Sequence, residues 1–421
     1  MGAVRLLIGF GLAALAAELL LHILPVSTGY GLTGVSAAQP ILRGTPHASY
    51  VYSKNWNFRL SNAGRLNNYG FRASYDYRPD PRAVLVVGNS YVAADAIVPS
   101  RNMTELSGRL LGRPAYAIGV DGFSLADYLV AARWGARTFW PAATGGAHVL
   151  LVLLTTGDLN HSCDPRAGEH YLRVGTQGVA LALVPRPEPS RLKQWLNDSM
   201  LFRYVFDNLR APANWGRERR EGAAQPASRA GAGPAGGCAA PDAAARSTAF
   251  LLQSFREFEA ANAARVVFVL APGYRREQNY AAGATRDVDT FAGQADARGF
   301  QIVRLQAQFG QALSAGTRLD FMPIDGHWNA AANAIAAAAI ADSLRSESGS
   351  DGSDAQALSA HTTRNRTGVP RSTCSGSCGT CARIPSGSAI DRVDGCRDPP
   401  WDRPCGDTPG SAGSPACRGS P

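Results

Sequence analysis

The stretch that decides the fold is Ala83-Val84-Leu85-Val86-Val87-Gly88-Asn89-Ser90-Tyr91. An unbroken apolar run that stops at Gly-Asn-Ser reads as a buried strand delivering a serine hydroxyl to the edge of a sheet. Ser90 is therefore a candidate nucleophile. The competing reading is a helix cap, because Asn and Ser at a strand end also serve the first turn of the next helix. A second stretch, Pro323-Ile324-Asp325-Gly326-His327-Trp328-Asn329, lies just before an Ala-rich segment. A serine followed far down the chain by an aspartate beside a histidine is the chain order of an α/β serine esterase.

Outward from Ser90, apolar runs alternate with amphipathic segments. Strands are expected at 83–87, 115–120, 148–154, 265–270 and 300–304. Helices are expected at 103–111, 125–134, 248–263, 288–297 and 331–344. Continuous apolar strands separated by helices imply an α/β three-layer sandwich with a central parallel sheet, flavodoxin-like in layout. Ligands of such sheets bind beyond the carboxyl ends of the strands, where Ser90 would sit.

The chain has 421 residues and a formal net charge of +9. Residues 26–80, rich in Asn, Tyr, Gly and Arg without a sustained period, read as an irregular collar ahead of a catalytic domain at 81–345. Within that domain, about 211–246 is Ala, Gly, Pro and Arg with few large aliphatics. Residues 346–421 are equally poor in apolar periodicity. Both are expected to be disordered, since neither offers enough burial to offset the entropy of ordering. The basic balance admits an anionic glycan or lipid headgroup as partner. No Lys/Arg run with interleaved aromatics suggests nucleic acid.

Leu6 to Leu24 is almost wholly apolar, with Arg5 before it and Pro25 after it. Residues 1–25 are thus expected to be an uncleaved transmembrane anchor, with a cleaved signal peptide as the rival reading. The positive-inside tendency places Met1 in the cytoplasm and the rest in the periplasm of a Gram-negative cell, single-pass in the inner membrane. Glu18 and His22, one turn apart, mark either a helix partner or a mutually bonded pair near the interface. Six of the eight cysteines fall in the tail, where Cys374, Cys378 and Cys381 lack a second pair at zinc spacing, so no metal site is expected. Cys163 and Cys238 remain, and nothing in the sequence says that they pair.

Three blocks resemble the SGNH/GDSL hydrolase superfamily, in particular its membrane-anchored bacterial branch. They are Asn67-Asn68-Tyr69-Gly70-Phe71-Arg72, Gly88-Asn89-Ser90, and Asp325-Gly326-His327-Trp328-Asn329, and the resemblance covers residues 1–345. It implies an ester hydrolase without a cofactor, with Ser90 attacking, His327 as base and Asp325 orienting the imidazole. It also implies an acylated glycan or small ester as substrate, acetyl esters of an envelope glycan above all, and a place among envelope proteins.

The resemblance further implies an oxyanion hole built from the Ser90 N–H, the N–H of a glycine in a second block and an Asn side chain in a third. Gly119, in Ala117-Ile118-Gly119-Val120, matches the second. In the third, Thr155-Thr156-Gly157-Asp158, Gly157 stands where the Asn belongs, and Asn160 is the candidate substitute. Loss of one such donor costs about 100- to 1000-fold in rate, so slow hydrolysis is expected. Asn89 replaces the usual Asp of the first block, keeping hydrogen bonding while removing a charge. The one-residue gap between Asp325 and His327 matches the membrane-anchored branch. Two other readings stay open: transfer of the acyl group to a sugar hydroxyl, and a catalytically silent domain that binds glycan or scaffolds an envelope complex. A dinucleotide-binding domain is disfavoured, because Gly88-Asn89-Ser90 lacks a Gly-x-Gly-x-x-Gly run.

Overall fold

A computed structural model describes residues 2–36, 39–141, 148–187, 190–209, 238, 241–272 and 286–362. Five strands, β1 (Val84–Gly88), β2 (Ala115–Gly119), β3 (His148–Leu154), β4 (Ala264–Leu270) and β5 (Gln301–Arg304), form one sheet in the order β2-β1-β3-β4-β5. Every pairing is parallel.

The apolar runs are continuous because both sheet faces are covered. Leu85, Val87, Leu150, Val152 and Phe268 point into one core with Leu129, Phe139, Phe255 and Phe291. Val84, Val86, Leu151, Val267 and Val269 point into the other with Phe309, Ala336 and Ile340. This alternation is the period of two that a pleated strand imposes on its side chains. The first core takes the helices Leu125–Phe139, Pro241–Asn262 and Arg286–Asp296; the second takes Met103–Leu111, Gln306–Ser314 and Ala330–Thr362. From β1 the chain crosses to β2 on one side and returns to β3 on the other. The carboxyl end of β1 is therefore the topological switch point at which open parallel sheets bind ligands.

Several stretches differ from the sequence expectation. The collar at 26–80 is not wholly irregular: Ser49–Lys54 and Leu60–Arg65 form an antiparallel hairpin. Its strands are short and rich in Ser, Asn and Gly, which hides the alternation. A second hairpin joins His170–Gly175 to Gly178–Leu183. Residues 241–246, expected to lack structure, open the helix Pro241–Asn262. Alanines supply high helix propensity without apolar bulk, and Arg246 pairs with Asp242 at 3.4 Å. The closing helix likewise continues past 345 to Thr362. The rest of the expected insertion, apart from Cys238, and the tail from 363 lie outside the described residues.

Cys163 and Cys238 form a disulfide with their Cα atoms 5.5 Å apart. It ties the segment before the helix Pro241–Asn262 to the loop that follows β3.

The N-terminal helix Gly2–Leu21 is long and apolar enough to cross a membrane, as a signal sequence also would be, and almost none of it is buried. Near its end, Glu18 lies 3.3 Å from His22. The Glu18 carboxylate also accepts from Ser199 Oγ and from the Met200 and Leu201 N–H groups, each at 2.8 Å. The two N–H groups lie in the first turn of the short helix Met200–Arg203, where they have no partner within the helix and a carboxylate satisfies them. Glu18 thus has both a mutual partner and a helix partner.

Candidate active site

Ser90 is the first residue of the short helix Ser90–Ala93 that follows β1. Asn89 caps this helix by accepting from the Tyr91 N–H at 3.1 Å. The Val92 and Ala93 N–H groups reach the Asn89 carbonyl, whereas the Ser90 N–H has no partner among the described residues. A free first-turn N–H beside a partly exposed hydroxyl is a donor available to a developing oxyanion.

His327 and Asp325 come from the strand Asp325–Trp328, which pairs antiparallel with Asp320–Phe321 just before the closing helix. His327 Nε2 lies 2.8 Å from Ser90 Oγ. Its Nδ1 lies 2.5 Å from Asp325 Oδ1, and the His327 N–H donates to the same oxygen at 2.9 Å. With Nδ1–H donated to the carboxylate, Nε2 carries the lone pair and accepts from the Ser90 hydroxyl. The three residues that the sequence singled out are therefore brought into one hydrogen-bonded chain.

Burial pushes the Asp325 carboxyl up, but the His327 hydrogen bond and charge and the Tyr52 hydroxyl outweigh it, holding the group well below the usual carboxylate range. Burial lowers His327, and here too the Asp325 bond and charge prevail, joined by Asp121 and Asp95, so the imidazole stands above its ordinary 6.5. Tyr91 packs against the imidazole with ring centroids 5.2 Å apart and against Trp328 at 5.1 Å. These contacts limit ring movement.

Gly119 ends β2 beside Gly88 of β1. A Cβ there would come within 2.7 Å of Val92 Cβ and 3.0 Å of the Ala93 nitrogen. Only glycine lets the helix Ser90–Ala93 settle on the end of β2, which brings the Gly119 backbone next to it. The third candidate donor fares differently. Asn160 is exposed on the short helix Asp158–His161, and none of the described hydrogen bonds joins it to Ser90. Gly157 adopts φ +93°, where a side chain is strained, and a Cβ would meet the His161 ring at 3.3 Å.

The Asn89 departure has its cause in a contact far along the chain. Asp158 is buried and accepts from Tyr128 OH at 3.0 Å, from the Thr155 N–H at 2.7 Å and from Asn89 Nδ2 at 3.1 Å. Burial pushes its carboxyl up to about 7, against the lowering effect of those bonds. Asn89 Nδ2 also donates to Thr155 Oγ1 at 2.7 Å. An ionised aspartate at 89 has no proton to donate and would set a second carboxylate against Asp158.

Sequence reasoning missed Tyr52, whose hydroxyl donates to Asp325 Oδ2 at 2.5 Å from 273 residues away. It also missed the role of the collar. Arg72 Nη1 donates to the Ala93 carbonyl at 3.0 Å and Nη2 to the Ile97 carbonyl at 2.8 Å. Asn62 Nδ2 holds the Asp95 and Ile97 carbonyls at 3.1 and 2.6 Å. The loop leaving the helix Ser90–Ala93 is thus fixed from the collar. Beside the Asp325 loop lies a cleft of about 420 Å³ lined by Asn55, Asn57, Arg59, Arg318, Phe321 and Ile324. A larger cleft of about 760 Å³ sits at the amino ends of β4 and β5, the opposite end of the sheet from Ser90.

No family model matches this sequence, and no curated protein matches it. Solved structures similar to the chain include GDSL lipolytic proteins and carbohydrate esterases. A lipolytic protein of the G-D-S-L family from Veillonella parvula is 9% identical, with 61% of this chain and 95% of that one covered and a TM-score of 0.33. A carbohydrate esterase family 2 enzyme with a carbohydrate binding domain, from Corynascus thermopiles, is 12% identical over 68% of this chain and 71% of that one, with a TM-score of 0.32. An acetyl xylan esterase from the rumen bacterium Butyrivibrio proteoclasticus is 9% identical over 68% of each chain, with a TM-score of 0.31. At such identities and TM-scores, function rests on the residues of this chain alone.

Proposed function

We propose that the chain is an SGNH-type serine esterase, held on the periplasmic face of the inner membrane by its N-terminal helix, acting on acyl esters of an envelope or exported glycan. The observation that carries this reading is the chain from Ser90 Oγ to His327 Nε2 at 2.8 Å and from His327 Nδ1 to Asp325 at 2.5 Å. A nucleophile, its base and the group that orients the base are what acyl transfer requires.

Ser90 Oγ attacks the ester carbonyl carbon while its proton passes to His327 Nε2, and Asp325 stabilises the imidazolium. The Ser90 and Gly119 N–H groups receive the oxyanion. Collapse breaks the bond to the alcohol oxygen, which leaves with the proton from His327, and the acyl group remains on Ser90. Water then attacks with His327 again as base, releasing the acid and restoring the serine. A sugar hydroxyl in place of water would make the same site an acyltransferase. The polar residues of the neighbouring cleft, Asn55, Asn57, Arg59 and Arg318, set among apolar Leu60, Phe321 and Ile324, suit the hydroxyls and the apolar faces of a sugar and support a glycan alcohol.

The test is hydrolysis of a small acetyl ester by the full chain in detergent. Slow release of acetate that Ser90→Ala abolishes, with the fold intact by circular dichroism, is the expected result. A rate equal to that of Ser90→Ala, for water and for a glycan acceptor alike, would leave a domain that only binds.

A further inference from the structure

The helix Arg191–Asp198 has almost no face turned inward. Only Leu196 is partly covered, while Leu192 and Trp195, on the same side of the helix, are 65% and 69% exposed. Apolar side chains at i, i+3 and i+4 normally mark the buried stripe of an amphipathic helix. Here that stripe faces outward, flanked by exposed Arg191 and Lys193. Two more large apolar residues are exposed on connected elements, Phe206 at 44% and Trp56 at 67%. Trp56 is tied in through its carbonyl, which accepts from Tyr204 OH at 2.9 Å.

What covers this surface follows from where it is attached. The helix leads through Ser199 directly into Met200–Arg203, the element whose N–H groups bond Glu18. Glu18 sits three residues before the end of the helix Gly2–Leu21. At about 1.5 Å per residue, the contact lies within roughly 5 Å of that helix end. A helix of this length matches the hydrocarbon thickness of a bilayer, so its end marks the height of the headgroups. Ile23, just beyond it, is 80% exposed.

We propose that residues 190–206, with Trp56, form a membrane-surface patch in which Leu192, Trp195 and Phe206 enter the outer-leaflet interface and Arg191 and Lys193 meet lipid phosphates. Tryptophan is suited to that depth, having an apolar body and a polar N–H, and a basic flank adds attraction to anionic lipid. The consequence is orientation. With both the N-terminal helix and this patch on the membrane, the catalytic domain is held in one pose rather than swinging on a tether.

This inference rests on the N-terminal helix being retained as an anchor, and the experiment separates the two. Full-length chain and Trp195→Phe are reconstituted into phosphatidylethanolamine/phosphatidylglycerol vesicles with and without brominated acyl chains, floated on a density gradient, and compared in tryptophan fluorescence. The expected result is that both float and that the difference between them, the Trp195 emission, is quenched by bromolipid and shielded from aqueous iodide. Flotation with Trp195 unquenched and open to iodide would overturn the patch and leave the anchor. Shielding from both quenchers would assign the surface to a second protein or copy and likewise overturn it. Failure to float would overturn both readings.

Discussion

The Tyr52 hydroxyl and His327 Nδ1 bond opposite oxygens of Asp325, each at 2.5 Å. The collar therefore holds one oxygen of the Asp325 carboxylate while His327 holds the other. Hydrogen bonding to Tyr52 draws charge from Asp325 and moderates how strongly it stabilises the imidazolium.

In the proposed mechanism His327 acts as base only when neutral, so activity should be lost as pH falls through its pKa. Because the imidazole is raised above 6.5, the acid limb of kcat/KM for an acetyl ester is expected above that value. Tyr52→Phe leaves more charge on Asp325 and should move the limb further up, by about half a unit to one unit for a hydrogen bond of about 1 kcal/mol. A pH–rate profile checks this. An unmoved limb would reduce Tyr52 to packing.

Asn89→Asp restores the usual residue of the block but is expected to destabilise this protein. It removes the donor to Thr155 and Asp158 and places two buried carboxylates together. A proton shared by the pair holds the folded pKa above the unfolded one, so stability is retained at low pH and lost as pH rises. The loss should be about 2–3 kcal/mol at pH 8 and smaller at pH 5, read from denaturant unfolding.

Gly70→Ala should be far more damaging than Gly112→Ala, although both glycines have positive φ, +80° and +65°. A Cβ at Gly70 runs into the Gly44 carbonyl, whereas one at Gly112 meets nothing within 4 Å. Expected losses are about 3 kcal/mol or more against about 1 kcal/mol, read as a difference in Tm. Equal effects would show that the close approach of Gly44 and Gly70 does not set the collar.

Reduction should lower Tm. The Cys163–Cys238 bridge closes a separation of 75 residues, for which chain entropy gives about 4 kcal/mol. The double variant Cys163→Ala/Cys238→Ala should melt at the reduced temperature and be insensitive to reductant. An identical Tm with and without reductant would contradict the bridge.

The central strands were legible because β1 and β3 are buried on both faces, leaving no polar residue to break the run. Ser90, Asp325 and His327 were legible because each sits in a short local pattern at an element boundary. Tyr52 was not, since its partner lies 273 residues away and nothing local distinguishes it from Tyr50. The helix partner of Glu18, beginning at Met200, was hidden for the same reason. The helical start at 241–246 was obscured by its composition, because alanine favours helix without an apolar stripe. Gly157 and Asn89 read as departures from a pattern; their causes, a positive φ and a buried carboxylate, are tertiary.

The most direct test of the central claim is where a serine-directed fluorophosphonate attaches. A nucleophile activated by His327 should carry the adduct on Ser90, found by mass spectrometry of the peptide containing Gly88-Asn89-Ser90-Tyr91. Labelling should be lost in both Ser90→Ala and His327→Ala, with folding retained. No adduct on Ser90 in the folded wild-type chain, or labelling of Ser90 that persists in His327→Ala, would contradict it.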